Sequence, residues 1–526
     1  MEKKAGWKII LNINTVAIIT AVLFFISLWP IIYVGMFNFA TGDDYWFGIH
    51  TYRGYVEGGI LAALKGSFRT VAEFYENWQG TWFTLFLFTL SPNHFVENGY
   101  VITVFLSLGL LLGSYGYLAD YYLVKKLGFR RGTATIIVCL LAYLSIQYIP
   151  RTTSGIYWFN GVMHYSVPFF LAVLAIIHSH KYMEHKKKKD YIILFMSFTL
   201  LGGGSYLAPL AATLAVMLLL CFQIEVKEFS IKNRKWKLSF DRRNLWILAA
   251  VAAELTGLLV SFLAPGNSVR GGEEFGFSLK WALQCVWYAI DRGIYLGEDY
   301  FLLNGVTTTI YLILVLLLWW EMWRQDSKKM KFPLPLLFVI YMNGIYWAIY
   351  TPEIYARSDV SGGVPNTYFH VFLIITLANM IYVHGWLQRM IKSYWEKKAQ
   401  KAVPDLEASK QKSAWYRSRA SETLTVCLTA VLIFTAVYIS LNDDLATTND
   451  YCREYIQSGE LENYKRIREE QHKILSEDTA KEAVIPETTA WYPLLHMQLT
   501  ADENDQRNID RAKYYNKNSV KAEMVE

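Results

Sequence analysis

The chain has 526 residues, of which 53% are hydrophobic and 18% charged, with a formal net charge of +6. Apolar stretches of about 20 residues, the length a helix needs to cross a bilayer, recur along it, which excludes a wholly water-soluble globular protein. The positive charge gives no ground for a nucleic-acid partner, because Lys and Arg gather in short loops between apolar runs rather than in a basic stripe interleaved with aromatics.

Lys3, Lys4 and Lys8 precede the first apolar run, residues 16–37, so its start reads as cytoplasmic. The run is too long for a signal-peptide core and has no small-residue cleavage site, so it reads as a retained anchor. An outer loop, residues 38–99, follows. It opens with Gly42-Asp43-Asp44-Tyr45-Trp46 and continues with an amphipathic stretch over 56–75, expected to lie on the membrane surface as a helix. Glu76-Asn77-Trp78-Gln79-Gly80 and a short apolar run, 83–91, complete it. The short run reads as interfacial or re-entrant.

Further spans are expected over residues 100–123, 134–149, 162–177, 191–201, 206–222, 245–263, 302–323, 334–350, 368–390 and 424–441. Residues 278–300 are amphipathic and read as an outer-side helix. Gly202-Gly203-Gly204 interrupts apolar sequence, which is tolerated at membrane depth only where the break faces protein or a cavity. The fold class is an all-α polytopic membrane protein with about 11 transmembrane helices over residues 1–441, amphipathic outer-loop helices, and a small soluble α/β segment, 442–526. Cytoplasmic start and extracytoplasmic end agree with every basic loop. In the last segment, 461–475 reads as a charged helix and 483–486 as a short strand.

Adjacent carboxylates at a membrane boundary need a reason, and Asp43 or Asp44 can serve as a general base; a helix cap in a solvated turn is the bland alternative. Arg151, Arg270 and Arg357 each follow the outer end of a span, and a planar guanidinium gives bidentate bonds to phosphate. Headgroup neutralisation is the competing use of such arginines. Tyr45, Trp46, Glu76, Trp78, Tyr157, Trp158 and Asn267 are candidates for sugar or acceptor contacts, against interface anchoring and turn formation. His178, His180 and His185 lie beside four lysines and read as a solvated basic flank rather than a metal tract. The five cysteines have no metal or redox spacing. A divalent cation is compatible with the acid pair, but no ligand set is complete, and no site residue is assigned to a metal.

The ordered set GDDYW at 42–46, ENWQGTWF at 76–83, IYWFNGVMHY at 156–165, LAPGNSVR at 263–270, Arg357, and AKYYNKNSV at 512–520 resembles an uncharacterised multi-span bacterial family of the GT-C membrane glycosyltransferases. The resemblance covers nearly the whole chain. It implies a polyprenyl-phosphate-linked sugar as donor, an outer-face site in the plasma membrane, and a first-loop acid as base, here Asp43 or Asp44. Relatives tend to carry Arg where this chain has Thr81. The expectation is an inverting glycosyltransferase acting on a cell-envelope glycan or lipid-linked acceptor. The rivals are a transporter or flippase of a lipid-linked sugar, for which Glu254 is the deep acid, and a non-catalytic envelope assembly protein.

Overall fold

The computed structural model describes residues 12–230, 235–271, 278–324, 331–356, 362–401, 423, 426–435, 437–439, 446–477, 479–488, 494 and 496–525. Helices dominate, and six among the described residues are long and apolar enough to cross a membrane: Ile13–Gly35, Gly99–Lys126, Phe159–His185, Arg242–Phe262, Gly305–Arg324 and Val364–Tyr394. Shorter apolar helices pack among them, including Arg131–Gln147, Lys188–Leu201, Leu207–Phe222 and Pro335–Ala348. Ile18, Phe25, Leu255, Leu259, Leu312 and Leu336 are all more than half exposed on these helices. Ser107, Ser145, Thr307 and His370 are buried between them. An apolar outside with hydroxyl and imidazole groups inside is the distribution that hydrocarbon imposes as solvent.

The connections fall at two ends of the helix bundle. At the basic end, buried Glu321 gathers Arg130 at 2.8 Å and Arg324 at 2.6 Å, enough donors to hold a carboxylate out of water. Lys186 donates to Asn244 at 2.5 Å. The loop after Leu207–Phe222 carries an antiparallel hairpin, Glu225–Ser230 with Lys235–Ser239, which its basic composition did not announce. His178 corrects an expectation here. It is buried rather than solvated, with Nδ1 2.8 Å from Asp190 and Nε2 2.8 Å from Tyr117 OH.

At the acidic end lie the segments that build the site. Helix begins at Asp43, earlier than the amphipathic pattern suggested, and runs Asp43–Asn77 with a break at Gly58 and Gly59, where Gly59 has φ of +68°. The two arms fold back on each other. Thr51 and Ser67 hydroxyls lie 3.1 Å apart, and His50 Nε2 lies 2.7 Å from Glu73. A Cβ at Gly66 would stand 2.2 Å from His50 O, so the arms meet only because that residue is glycine. The expected surface helix is therefore one arm of a helical hairpin.

The short apolar run after it is a seven-residue helix, Trp82–Phe88. Its first N–H groups find a partner in the glycine break: Gly203 O accepts from Phe83 N at 3.0 Å and Thr84 N at 3.3 Å. A Cβ at Gly203 would stand 2.3 Å from the Trp82 ring. The break thus faces protein, and the short helix Trp82–Phe88 is what fills it.

The C-terminal segment docks on the same end. It contains helices Thr448–Gln457, Glu460–Glu477 and Gln506–Tyr515, and strands Glu482–Thr488 and Ser519–Val525 paired in parallel. The intervening helix supplies the crossover a parallel pair requires. Leu475, Ile485, Leu499 and Val520 form its small core. Thr448 Oγ1 donates to Ile146 O at 2.8 Å, and Arg468 donates to Ala40 O.

Candidate active site

Gly42, at φ of +50°, turns the chain from the end of the first spanning helix into the hairpin, and Asp43 and Asp44 occupy the hairpin's first turn. Carboxylates are favoured there by the helix dipole. The two acids nonetheless stand in different surroundings. Asp44 is fully buried and accepts from Thr41 N at 2.9 Å and Tyr100 OH at 2.6 Å. Tyr100 OH in turn accepts from Phe159 N at 2.8 Å. Asp44 therefore ties the turn to the Gly99–Lys126 and Phe159–His185 helices. Asp43 is half-buried and makes no hydrogen bond with any described residue. Burial pushes its carboxyl up to about 6, with the charge of Arg270 pulling the other way. Burial pushes Asp44 up to about 7, against its bonds from Tyr100 and Thr41 and with the Asp43 charge adding to the rise.

Arg270 sits on a short helix, Pro265–Gly271, directly after Arg242–Phe262. Asn267 places that helix. Its amide donates to Ser261 O at 2.7 Å and Phe262 O at 3.0 Å, and its oxygen accepts from Gly80 N at 3.3 Å. Asn267 thus caps the spanning helix and joins it to the Trp78-Gln79-Gly80 corner, with its amide already engaged. Arg270 donates to Gln79 Oε1 at 3.2 Å and lies 4.9 Å from the Trp78 ring centroid. Stacking on an aromatic face fixes a guanidinium while leaving most of its N–H donors for another anion.

Trp46 packs against Trp78 and Phe74, with ring centroids 5.2 and 4.5 Å apart. The structure so brings together Asp43, Asp44, Trp46, Trp78, Asn267 and Arg270. Other candidates stand elsewhere. Tyr45 is buried, with the Arg511 guanidinium 3.5 Å over its ring, so that face is taken. Tyr157 is also buried, and its hydroxyl donates to Ile31 O at 3.0 Å. Trp158 stacks on His496 at 3.7 Å. Glu76 is exposed on the hairpin. Arg151 is exposed, with its backbone bonded to Asn366 at 2.8 and 2.9 Å, and no contact joins it to the acid pair among the described residues. Arg357 lies outside the described residues.

Several site neighbours escaped the sequence reading. Tyr100 holds Asp44, Gln79 holds Arg270, and Asp510, pushed up to about 6 chiefly by burial, feels the charge of Asp43. His496 N donates to Thr41 Oγ1 at 3.3 Å. His164, half-buried beside Arg270, has Nδ1 2.9 Å from Thr84 Oγ1. The strings IYWFNGVMHY and AKYYNKNSV held His164 and Tyr514, but aromatic-rich boundary sequence masks single polar residues. Among the described residues no group of three or more His, Cys, Asp or Glu side chains is arranged to hold a metal ion.

These contacts define a helical membrane protein that holds, at one end, a desolvated, unbonded carboxylate within electrostatic reach of a stacked guanidinium. A scan against protein-family models finds no match to the chain, and a search of curated proteins finds none either. Chemically, the arrangement supplies a base with a pKa close to the working range and a cation with free donors for phosphate.

Proposed function

We propose that the chain is an integral membrane glycosyltransferase of the GT-C type. It moves a sugar from a polyprenyl-phosphate donor to a cell-envelope glycan or lipid-linked acceptor, with inversion, at the outer face of the plasma membrane. In this reading the chain crosses the bilayer about 11 times, with Arg131–Gln147, Lys188–Leu201, Leu207–Phe222, Pro335–Ala348 and Val426–Ile439 joining the six long helices. The N-terminus is cytoplasmic and the C-terminal segment extracytoplasmic. Asp43 removes the proton from the acceptor hydroxyl, and that oxygen attacks the anomeric carbon. The bond from the anomeric carbon to the phosphate oxygen breaks, and the lipid phosphate leaves with its negative charge held by Arg270. Trp46 and Trp78 provide aromatic surface beside the reacting groups.

The observation that carries this reading is the contrast between the two acids: Asp44 is bonded twice and buried, whereas Asp43 is unbonded and feels the charge of Arg270. The test is sugar transfer in isolated membranes from labelled polyprenyl-phosphate sugars. Asp43→Asn is expected to lower transfer by about 10²–10⁴, the usual contribution of a general base. Asp44→Asn keeps an acceptor for Tyr100 and is expected to cost far less. Full activity in Asp43→Asn would reject the assignment.

A second reading has one observation in its favour. Glu254 is buried within the Arg242–Phe262 helix, accepts from Thr213, and leaves Oε1 unbonded among the described residues. An acid at that depth suits a transporter or flippase of a lipid-linked sugar. Glu254→Gln should leave transfer intact under the first reading and abolish lipid translocation under the second.

A further inference from the structure

We propose that Arg511 and Arg468 build a buried anion site where the C-terminal segment meets the acidic turn, and that its ligand is a phosphate group, free or esterified. The helices that carry these arginines place them where packing calls for apolar side chains. In Glu460–Glu477 the inward stripe runs Leu461, Tyr464, Arg468 and Leu475, at helical spacing. In Gln506–Tyr515, Arg511 lies on the buried side with Asn508 and Tyr514. Arg468 is 3% exposed and Arg511 2%. A charge so buried is costly unless it is paired and hydrogen-bonded.

Arg511 is neither. It makes no hydrogen bond and no ion pair with any described residue, and its Nε is enclosed. Its guanidinium carbon lies 3.5 Å from the Tyr45 ring centroid. Stacking of that kind occupies a face and leaves the in-plane N–H groups free. Arg468 donates to Ala40 O, while its Nη1 is enclosed without a bond. The carboxylate paired with it, Glu487, stands 3.8 Å from that nitrogen and is already engaged, Oε1 by Thr488 N at 3.1 Å and Oε2 by Leu499 N at 3.2 Å. Asp43 and Asp44 pair with neither arginine, Asp44 taking Thr41 N and Tyr100 OH instead. The Tyr464 hydroxyl is a third enclosed group without a partner.

These three side chains meet one short stretch of chain. Tyr464 packs on Phe39 with ring centroids 6.1 Å apart, Arg468 bonds to Ala40, and Arg511 stacks on Tyr45. Arg468 also lies 5.8 Å from the Tyr464 ring centroid. Their unsatisfied groups define the ligand. Arg468 and Arg511 against Glu487 alone leave a buried positive charge, so the missing partner is an anion. Arg511 brings all of its donors, and Arg468 Nη1 and the Tyr464 hydroxyl add more. Phosphate has more oxygens than a carboxylate, spread over a tetrahedron, and uses more of these donors. Bound there, it ties the C-terminal segment to the turn that carries Asp43 and Asp44.

The test is thermal unfolding of the purified full chain in maltoside micelles and phosphate-free buffer, with inorganic phosphate, glycerol 3-phosphate and chloride added at equal ionic strength. The wild-type midpoint is expected to rise saturably with phosphate and not with chloride, as binding to the native state requires. Arg511→Met keeps a side chain against Tyr45 without donors, and is expected to weaken phosphate binding about tenfold or more. Arg511→Lys keeps the charge but loses the planar fork and should fall between the two. A matching rise with glycerol 3-phosphate assigns an esterified phosphate, and a rise with inorganic phosphate alone assigns the free ion. If phosphate leaves the wild-type midpoint unmoved, the phosphate released on denaturation decides. Release in proportion to protein, absent from Arg511→Met, supports a site already filled, and no release overturns it. An equal rise with chloride, or a rise undiminished in both variants, also overturns it. Should Arg511→Met fail to fold, Arg511→Lys decides alone, and an unweakened response there rejects the site.

Discussion

Asp43 must be ionised to take a proton, and burial holds its carboxyl at about 6. Transfer should therefore climb as pH rises through about 6 and level off above it, which a pH profile of donor kcat/KM reads directly. Asp44 carries the opposite signature in stability. Its folded pKa is raised from 3.8 to about 7, so the native state prefers the protonated acid. The stabilisation is full below about pH 4 and is lost as pH rises through about 7. Thermal midpoints of purified protein should fall over that interval, and Asp44→Asn should flatten the slope. At this scale the sequence announced the acids and Arg270, because charges at an apolar boundary stand out. It could not rank the acids, since what separates them is a hydrogen bond from Tyr100, 56 positions away. Nor could it show that Tyr157, in an aromatic-rich string like Trp158, turns inward to Ile31 O.

At the scale of elements, the helical hairpin positions the acidic turn, and its closure depends on small side chains where the arms cross. Gly66→Val would drive branched carbon into His50 O, which a Cβ alone already approaches at 2.2 Å. Overpacking of this kind costs about 1–3 kcal/mol. The measurable outcome is a lower thermal midpoint together with reduced transfer, because the arm that carries Asp43 must shift. The same change at Gly59, which has nothing within 4 Å of a built Cβ but a φ of +68°, acts through backbone strain instead. Helical periodicity over 56–75 was legible and the hairpin was not. Amphipathicity reports one buried face, whereas the fold-back rests on the Gly58–Gly59 break and on pairs such as Thr51 with Ser67. The glycine break at 202–204 was legible as a break, but its partner, the helix Trp82–Phe88, was not, because pairing between distant segments leaves no local pattern.

For the whole molecule, the apolar runs were the most readable feature, since hydrocarbon demands a continuous stretch and tolerates few charges. The docking of the C-terminal segment was the least readable, being made of single contacts across hundreds of residues. Tyr514 shows its weight: the ring stacks on Tyr52 at 4.2 Å, meets Tyr45 edge-on at 4.9 Å, and its hydroxyl is 3.0 Å from His94 Nδ1. Tyr514→Ala should cost about 3–5 kcal/mol, as aromatic truncations in a packed core do. It should also let water reach the acidic turn, so the Asp43 carboxyl falls back toward its ordinary value. The acid limb of the pH profile would then move to lower pH, a shift that simple loss of folded protein would not produce.

That docking also imposes an order in time. Asp43 is made near the start of the chain, whereas His496, which bonds to Thr41, lies 455 positions after that threonine. Until those late residues are synthesised, carried to the acidic end and folded, the turn lacks the contacts that His496 makes with Thr41 and Tyr514 with Tyr45. The surroundings of the acidic turn are therefore a product of completed assembly and not of the spanning helices alone, and an unfinished chain holds the two acids without their full cover.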